Sequence, residues 1–301
     1  MKLRIGHLST MYHTSFILMG TDWLEKAGIE VEWSMFGGGP AIVSALEKGE
    51  LDIGYIGLPP TMIGIDRGVN IKCVAGGHVE GTVVLATPEF LTLEQCNNDQ
   101  RQFLEQFKGL KIACPPAGSI HDVIIRNYIK EAGLEKDIDV VNYEWADMIP
   151  EAIADGKIRV AVGTPPLSVV AERCCDTKLV IPPENLWPDN PSYGIVASTD
   201  LIENSPDTLL EFIKLHARAC DYIYEDMEGA SKLVADTVGV VDAAFVRDVY
   251  QVSPKYSAAI SKAYIDSTMK FVDVLHELGY ISGELRQEDI FDLHFMKELK
   301  L

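Results

Sequence analysis

Three short stretches of the 301-residue chain gather side chains able to bind a solute or move a proton. "LSTMYHTS" (8–15) places the hydroxyls of Ser9, Thr10 and Tyr12 beside His13, and "PPAGSIHD" (115–122) presents Ser119, Ile120 and His121. "GGHVEG" (76–81) holds His78 and Glu80. Hydroxyls, a phenol and backbone amides suit hydrogen-bonded capture of a small molecule, since pockets combine aromatic walls with a few polar groups. Acid–base chemistry would have to draw on His13, His78, Glu80 and His121. Each group also has a purely structural reading. Ser119 can cap its own helix, Tyr12 and His13 can be rim or packing residues, and His78 can be a hinge-side structural histidine. Trp145 could stack on a flat ligand or lie at a lobe surface.

Metal and thiol chemistry find little support. Cysteines stand at 73, 96, 114, 174, 175 and 220, with no CxxC pair and no zinc spacing. Cys73 and Cys114 lie in strand-like apolar runs, where an inert buried thiol is the usual outcome. The vicinal Cys174-Cys175 is the one pair that could bind a soft metal or meet an oxidant; unpaired cysteines lean towards a reducing compartment. No metal, cofactor or catalytic residue is expected.

The elements that must position these groups alternate β-branched runs with helical periodicity, the signature of α/β architecture with largely parallel sheets. The first set reads as strand 3–8, helix 14–27, strand 29–34, helix 40–48, strand 51–56, helix 60–67 and strand 71–77. "TVVLATP" (82–88) reads as a strand leaving that lobe, followed by a polar helical segment over 91–107. The second set reads as strand 111–115, helix 119–131, strand 139–143, helix 147–154, strand 158–163, helix 166–173 and strand 178–182. "YGIVAST" (193–199) adds a strand, and 205–226, 228–237, 242–250 and 254–278 read as helices. Ser205 and Pro206 open the first of these helices. The expected organisation is a discontinuous lobe, 1–88 plus 193–301, around a second lobe, 89–192.

The two sets share a phrase. "GELDIGYIGLPP" (49–60) and "GKIRVAVGTPP" (156–166) each end a short strand in glycine and a double proline. Proline suits a helix's first turn, so both phrases turn a strand sharply into a helix whose N-terminus faces the strand's carboxyl end. "FGGGPAIV" (36–43) repeats the device and is neither a Walker A nor a GxGxxG fingerprint. In open α/β sheets the crevice beyond the strand carboxyl ends is where ligands bind. That geometry selects Ser9, Thr10, Tyr12, Gly38, Gly39, Gly57, Leu58, Ser119, Ile120, His121, Thr164 and Tyr193 as candidate ligand-binding residues.

"FGGGPAIVSALEKGELDIGYIGLPPTMIGIDRGVNIKCVAG" (36–76) resembles the signature of nitrate/sulfonate/taurine-type (SsuA-like) substrate-binding proteins of ABC importers, with Asp52, Gly54, Gly57, Pro60 and Gly68 in place. The stretches 107–134 and 202–223 resemble that family's second-lobe strand with its Gly-Ser helix opening and its post-cleft helix. The resemblance spans nearly the whole chain. It implies an α/β, two-lobed type II periplasmic-binding-protein fold with a ligand cleft between the lobes and hinge closure. It further implies a non-enzymatic solute receptor for a small anionic or polar organic solute, an ABC transporter permease as partner, and a monomer. The second lobe departs from the pattern in offering only Gly163-Thr164-Pro165-Pro166 at its proline turn. No arginine sits in the cleft loops, so a sulfonate or nitrate would depend on backbone N–H groups and hydroxyls.

Composition narrows the partners. The net charge of −19 repels polyanions, which excludes nucleic acid and anionic membrane as expected partners. No run reaches the roughly 20 apolar residues of a membrane helix. The first residues show no signal-peptide pattern; the protein is expected to be cytosolic, or extracytoplasmic after removal of a leader. Leaderless enzymes on the same fold are the rival, either of the futalosine menaquinone pathway type or similar to thiamine-pyrimidine synthases. The cysteine-rich motif of the latter has no match here.

Overall fold

The computed structural model describes residues 2–300. Among the described residues ten strands form two five-stranded sheets. The first sheet holds β1 (Lys2–Leu8), β2 (Glu30–Phe36), β3 (Ile53–Ile56), β4 (Ile71–Val79) and, returning much later, β10 (Pro191–Ser198). The second holds β5 (Val83–Ala86), β6 (Lys111–Cys114), β7 (Asp139–Asn142), β8 (Val160–Gly163) and β9 (Lys178–Ile181). Their spatial orders are β2-β1-β3-β10-β4 and β7-β6-β8-β5-β9. These are the same arrangement, with β10 and β5 as the antiparallel fourth strand. The two sheets thus exchange a strand. β4 hands the chain to β5 in the other sheet, and β9 is followed by β10 back in the first.

This exchange corrects the expected crossing point. The run 82–88 pairs with β8 and β9, so the chain leaves the first lobe at Glu80–Thr82, before that strand and not at 88. Val83 to Ala86 are buried there between neighbours on both edges, which an apolar strand reaches only by entering the second sheet.

The two crossings are bonded to each other. Glu80 takes a left-handed conformation (φ 59°), and its amide donates to the Asn190 carbonyl at 2.9 Å. Its carboxylate accepts from the Asp189 amide at 2.9 Å and from Lys255 Nζ at 2.5 Å. The Gly81 amide donates to Ser192 Oγ. Glu80 thereby ties the two crossings together.

The other strands and helices follow the expected order, with local differences: the segment 91–107 is helical only over Glu94–Cys96 and Gln100–Glu105, and the short helices Thr199–Asn204, Gln287–Ile290 and His294–Leu299 add to the expected set. The 14–27 helix breaks into Ser15–Gly20 and Trp23–Lys26, where Gly20 lies so close to the helix Met227–Val238 that a Cβ would meet Thr237 Oγ1 at 2.3 Å. The helix expected from 254 begins only at Lys262. Residues 255–258 instead lie along β4, with the Gly76 amide donating to the Ala258 carbonyl and the Val79 amide to that of Lys255. Among the described residues no helix is long and apolar enough to cross a membrane.

Candidate ligand-binding site

Six strand ends converge. β1, β2 and β3 of one sheet and β6, β7 and β8 of the other run parallel within their sheets. The loops beyond their carboxyl ends enclose a chamber of about 40 Å³. Ser9, Thr10 and Tyr12 enter it after β1, Gly38 and Gly39 after β2, and Gly57 after β3. From the opposite lobe come Ser119, Ile120 and His121 after β6, Ala146 after β7 and Thr164 after β8. Short apolar strands followed at once by glycine or proline produce this convergence, because the chain must turn before any side chain can fill the gap.

Two of the expected residues do not reach the chamber. Leu58 opens its helix, Leu58–Asp66, but turns its side chain into the apolar core. Tyr193 lies in the middle of β10, fully buried, behind the wall. Its ring sits 4.2 Å from that of His13 and 5.8 Å from that of Tyr12. Its hydroxyl meets Thr14, with the Thr14 amide donating to it at 3.2 Å. Thr14 Oγ1 bonds His216 Nδ1 at 2.9 Å, and His216 Nε2 donates to the Gly76 carbonyl at 2.8 Å. Tyr193 is therefore the anchor of a buried polar chain that stiffens the chamber wall.

His13 is the residue whose weight was least visible beforehand. It lines the chamber, is 1% exposed, and its Nδ1 has no partner. Thr10 Oγ1 is likewise buried without a partner. Buried polar atoms are ordinarily bonded, so two residues of the chamber lining are left, among the described residues, with one unsatisfied polar atom each, set just behind the surface of the chamber. Pro115, Pro116, Gly37 and Ser192 also line it. The prolines after β6 repeat the strand-end rule and could have been read from it, whereas Ser192 arrives only through the strand exchange.

The electrostatics of the chamber are those of neutral groups. Burial pushes His121 down to about 4 and His13 well below the usual imidazole value, and it pushes the Tyr12 phenol up. His121 Nδ1 is held by Thr82 Oγ1 at 2.9 Å. Ser119 is an N-cap, accepting from the Asp122 amide at 3.3 Å, and still faces the chamber. His78 is buried near the lobe crossings, its Nε2 donating to the Ser253 carbonyl at 2.6 Å, and with Glu80 it stands outside the chamber lining. Trp145 closes over Gly37 from the other lobe: a Cβ there would lie 2.6 Å from the Glu144 carbonyl oxygen and 3.1 Å from the indole.

Beyond Ser9, Thr10, Ala146 and Thr164 the chamber continues into an open channel of about 480 Å³. Its walls are largely apolar and come from the helix Pro165–Cys174 of the second lobe and from 240–245, at and just before the start of the helix Ala243–Val252. Arg173 crosses from the former to the latter, pairing with Asp248 and, at 3.8 Å, with Asp242, and lying 5.2 Å over the Phe245 ring. Ser9 Oγ donates to Asp147 across the same seam at 2.7 Å. The lobes are in contact on both sides of the chamber, so the arrangement is a closed one.

The sequence profile of the NMT1-like family matches residues 1–235. The chain belongs to the NMT1-like family. Among curated relatives of this NMT1-like chain, a putative aliphatic sulfonates-binding protein of Bacillus subtilis (strain 168) is 23% identical over 282 residues, spanning 92% of this chain and 80% of that protein. A putative ABC transporter periplasmic binding protein of Brachyspira hyodysenteriae is 28% identical over 217 residues, 69% of this chain and 61% of its own length. The solved structure of the alkanesulfonate-binding protein SsuA from Xanthomonas axonopodis pv. citri bound to MOPS superposes with a TM-score of 0.80 at 18% identity, covering 96% of this chain and 98% of that one. The nitrate-binding protein NrtA from Synechocystis PCC 6803 gives 0.78 at 12% identity, covering 99% and 87%. The fold is thus the two-lobed one of periplasmic binding proteins, as the resemblance implied.

Proposed function

We propose that this NMT1-like protein is the solute receptor of an ABC importer. It captures a small anionic or polar organic solute between its lobes and presents the closed form to a membrane permease outside the cytoplasm. One observation carries the proposal: loops from six strand ends of two matched sheets meet around an enclosed chamber, and the lobes are joined by two adjacent, mutually bonded crossings. Such a molecule can open and close about Glu80–Thr82 and 189–192. A solute bound better by the closed form shifts that equilibrium towards closure. The relatives named as sulfonate-binding and ABC-transporter binding proteins support the receptor role.

The enzyme reading is weaker on the same geometry. Of the acid–base candidates, His78 and Glu80 fall at the hinge, and Glu80 is engaged by Lys255. His13 and His121 reach the chamber, but among the described residues neither ring is hydrogen-bonded to a carboxylate that would orient it as an acid or base. We take the protein to act as a monomer, with one chamber per chain. Native mass spectrometry of the purified protein tests the proposal. The expected result is a single retained small molecule, released unchanged in mass on denaturation. Retention of a molecule that is converted during incubation would replace the receptor with an enzyme.

A further inference from the structure

The chamber's donors and charges restrict what it can hold more tightly than the fold does. Five of the nine first-turn positions of the helices Gly39–Glu47, Leu58–Asp66 and Pro165–Cys174 are prolines: Pro40, Pro59, Pro60, Pro165 and Pro166. A proline has no N–H to offer. The amides of Ala41 and Leu167 are already bonded to the Gly38 and Thr164 carbonyls. Helix N-termini ordinarily attract anions through these amides, and here that capacity is mostly removed. The fourth helix, Ile120–Glu131, keeps its amides, and the carboxylate in its first turn is paired with Arg126 outside the chamber lining. Asp122 is fully buried in its first turn, accepting from the Gly118 amide at 3.0 Å and from Arg126 Nε at 2.8 Å.

No lysine or arginine is among the described residues lining the chamber. Arg173, in the channel wall, is held by two aspartates, and Asp147 lines the channel next to the shared Ala146. An anionic head would be desolvated here without a counterion, which is strongly unfavourable. The polar side chains that line the chamber are neutral: the hydroxyls of Ser9, Thr10 and Ser119 can donate and accept, and each imidazole nitrogen of His13 does one or the other according to tautomer. His13 is kept neutral by burial and by the other buried histidines near it. Space is limited as well. A water needs on the order of 10–15 Å³ of such volume, so about 40 Å³ takes a head of only a few heavy atoms.

We infer that the solute is uncharged, with a compact head carrying both a donor and an acceptor, of the amide or lactam class, and an apolar body lying in the channel between Leu167, Val170 and Phe245. This rests on the receptor proposal and narrows its solute class.

Calorimetric titration with three probes of matched length decides it: hexanamide, hexanoate and pentane-1-sulfonate. Hexanamide is expected to bind one-to-one and at least tenfold more tightly than either anion. Thr10→Val should weaken it roughly tenfold, while Thr10→Ser, which keeps the hydroxyl, should not. Equal or tighter binding of sulfonate or hexanoate overturns the inference and leaves the receptor standing. If no probe binds, the molecule retained in native mass spectrometry decides. An uncharged one supports the inference and a charged one overturns it, and an empty protein overturns the inference together with the receptor.

Discussion

The inner chamber and the outer channel share four residues and differ in everything else. The chamber is small, enclosed by strand-end loops of both lobes, and faced by buried neutral groups, Thr10 and His13 among them. The channel is an order of magnitude larger, open, apolar, and bounded by exposed charges on two helices. The chamber can discriminate, because a ligand's polar atoms lose their water there and must meet the fixed hydroxyls, imidazoles and amides of its wall. The channel can only tolerate, because apolar contact is non-directional and its Arg173 pairs are partly solvated. On the proposed receptor role, specificity belongs to the chamber and breadth of body length to the channel.

The largest effect that separates them is that of acid. His78, His121 and His216, around or behind the chamber, are held neutral by burial at about 4. The unfolded chain takes up those protons near pH 6.5, so stability is fully present above that pH and is lost as pH falls towards 4. Each contributes up to about 3 kcal/mol to the loss. Urea unfolding midpoints at pH 7, 5.5 and 4.5 should fall steeply, and a flat profile would contradict neutral burial.

Closure is the next point of attack. Gly37→Ala places a Cβ against the Glu144 backbone carbonyl of the other lobe at 2.6 Å. Gly37 is not held at positive φ, so the open form should tolerate alanine. The expected loss is about 1–3 kcal/mol in binding with little change in the ligand-free melting temperature; calorimetry and a melt check the two halves. Val170→Phe narrows the channel alone and should weaken a long-bodied ligand by roughly 1 kcal/mol while sparing a short one of the same head. Arg173→Ala is the smallest change. Its partners are exposed, so affinity and stability should each move by less than about 1 kcal/mol.

Much of the chamber was legible because it depends on local rules. A strand that ends in glycine or proline must turn there, and the loops so identified after β1, β2, β3, β6 and β8 all reach the chamber. Leu58 and Tyr193 were misplaced because position along the chain does not give side-chain direction. One is drawn into the core, and the other stands in the central part of a sheet whose register puts it behind the wall. The channel could not be seen, since the helix Ala243–Val252 meets Pro165–Cys174 only through tertiary packing. The double prolines changed meaning. They open helices towards the cleft as expected, yet the same residues strip those helices of donors, and that consequence was present in the sequence all along.

Small-angle X-ray scattering tests the central claim most directly. Wild type and Gly37→Ala would each be measured with and without a solute that raises the wild-type melting temperature, chosen from a panel of amides, carboxylates, sulfonates and oxyanions. The claim predicts that wild type compacts with one equivalent of that solute and that Gly37→Ala stays extended at the same concentration. A wild-type profile unchanged by a bound solute, or an equal compaction of both proteins, would contradict closure of the two lobes around the chamber.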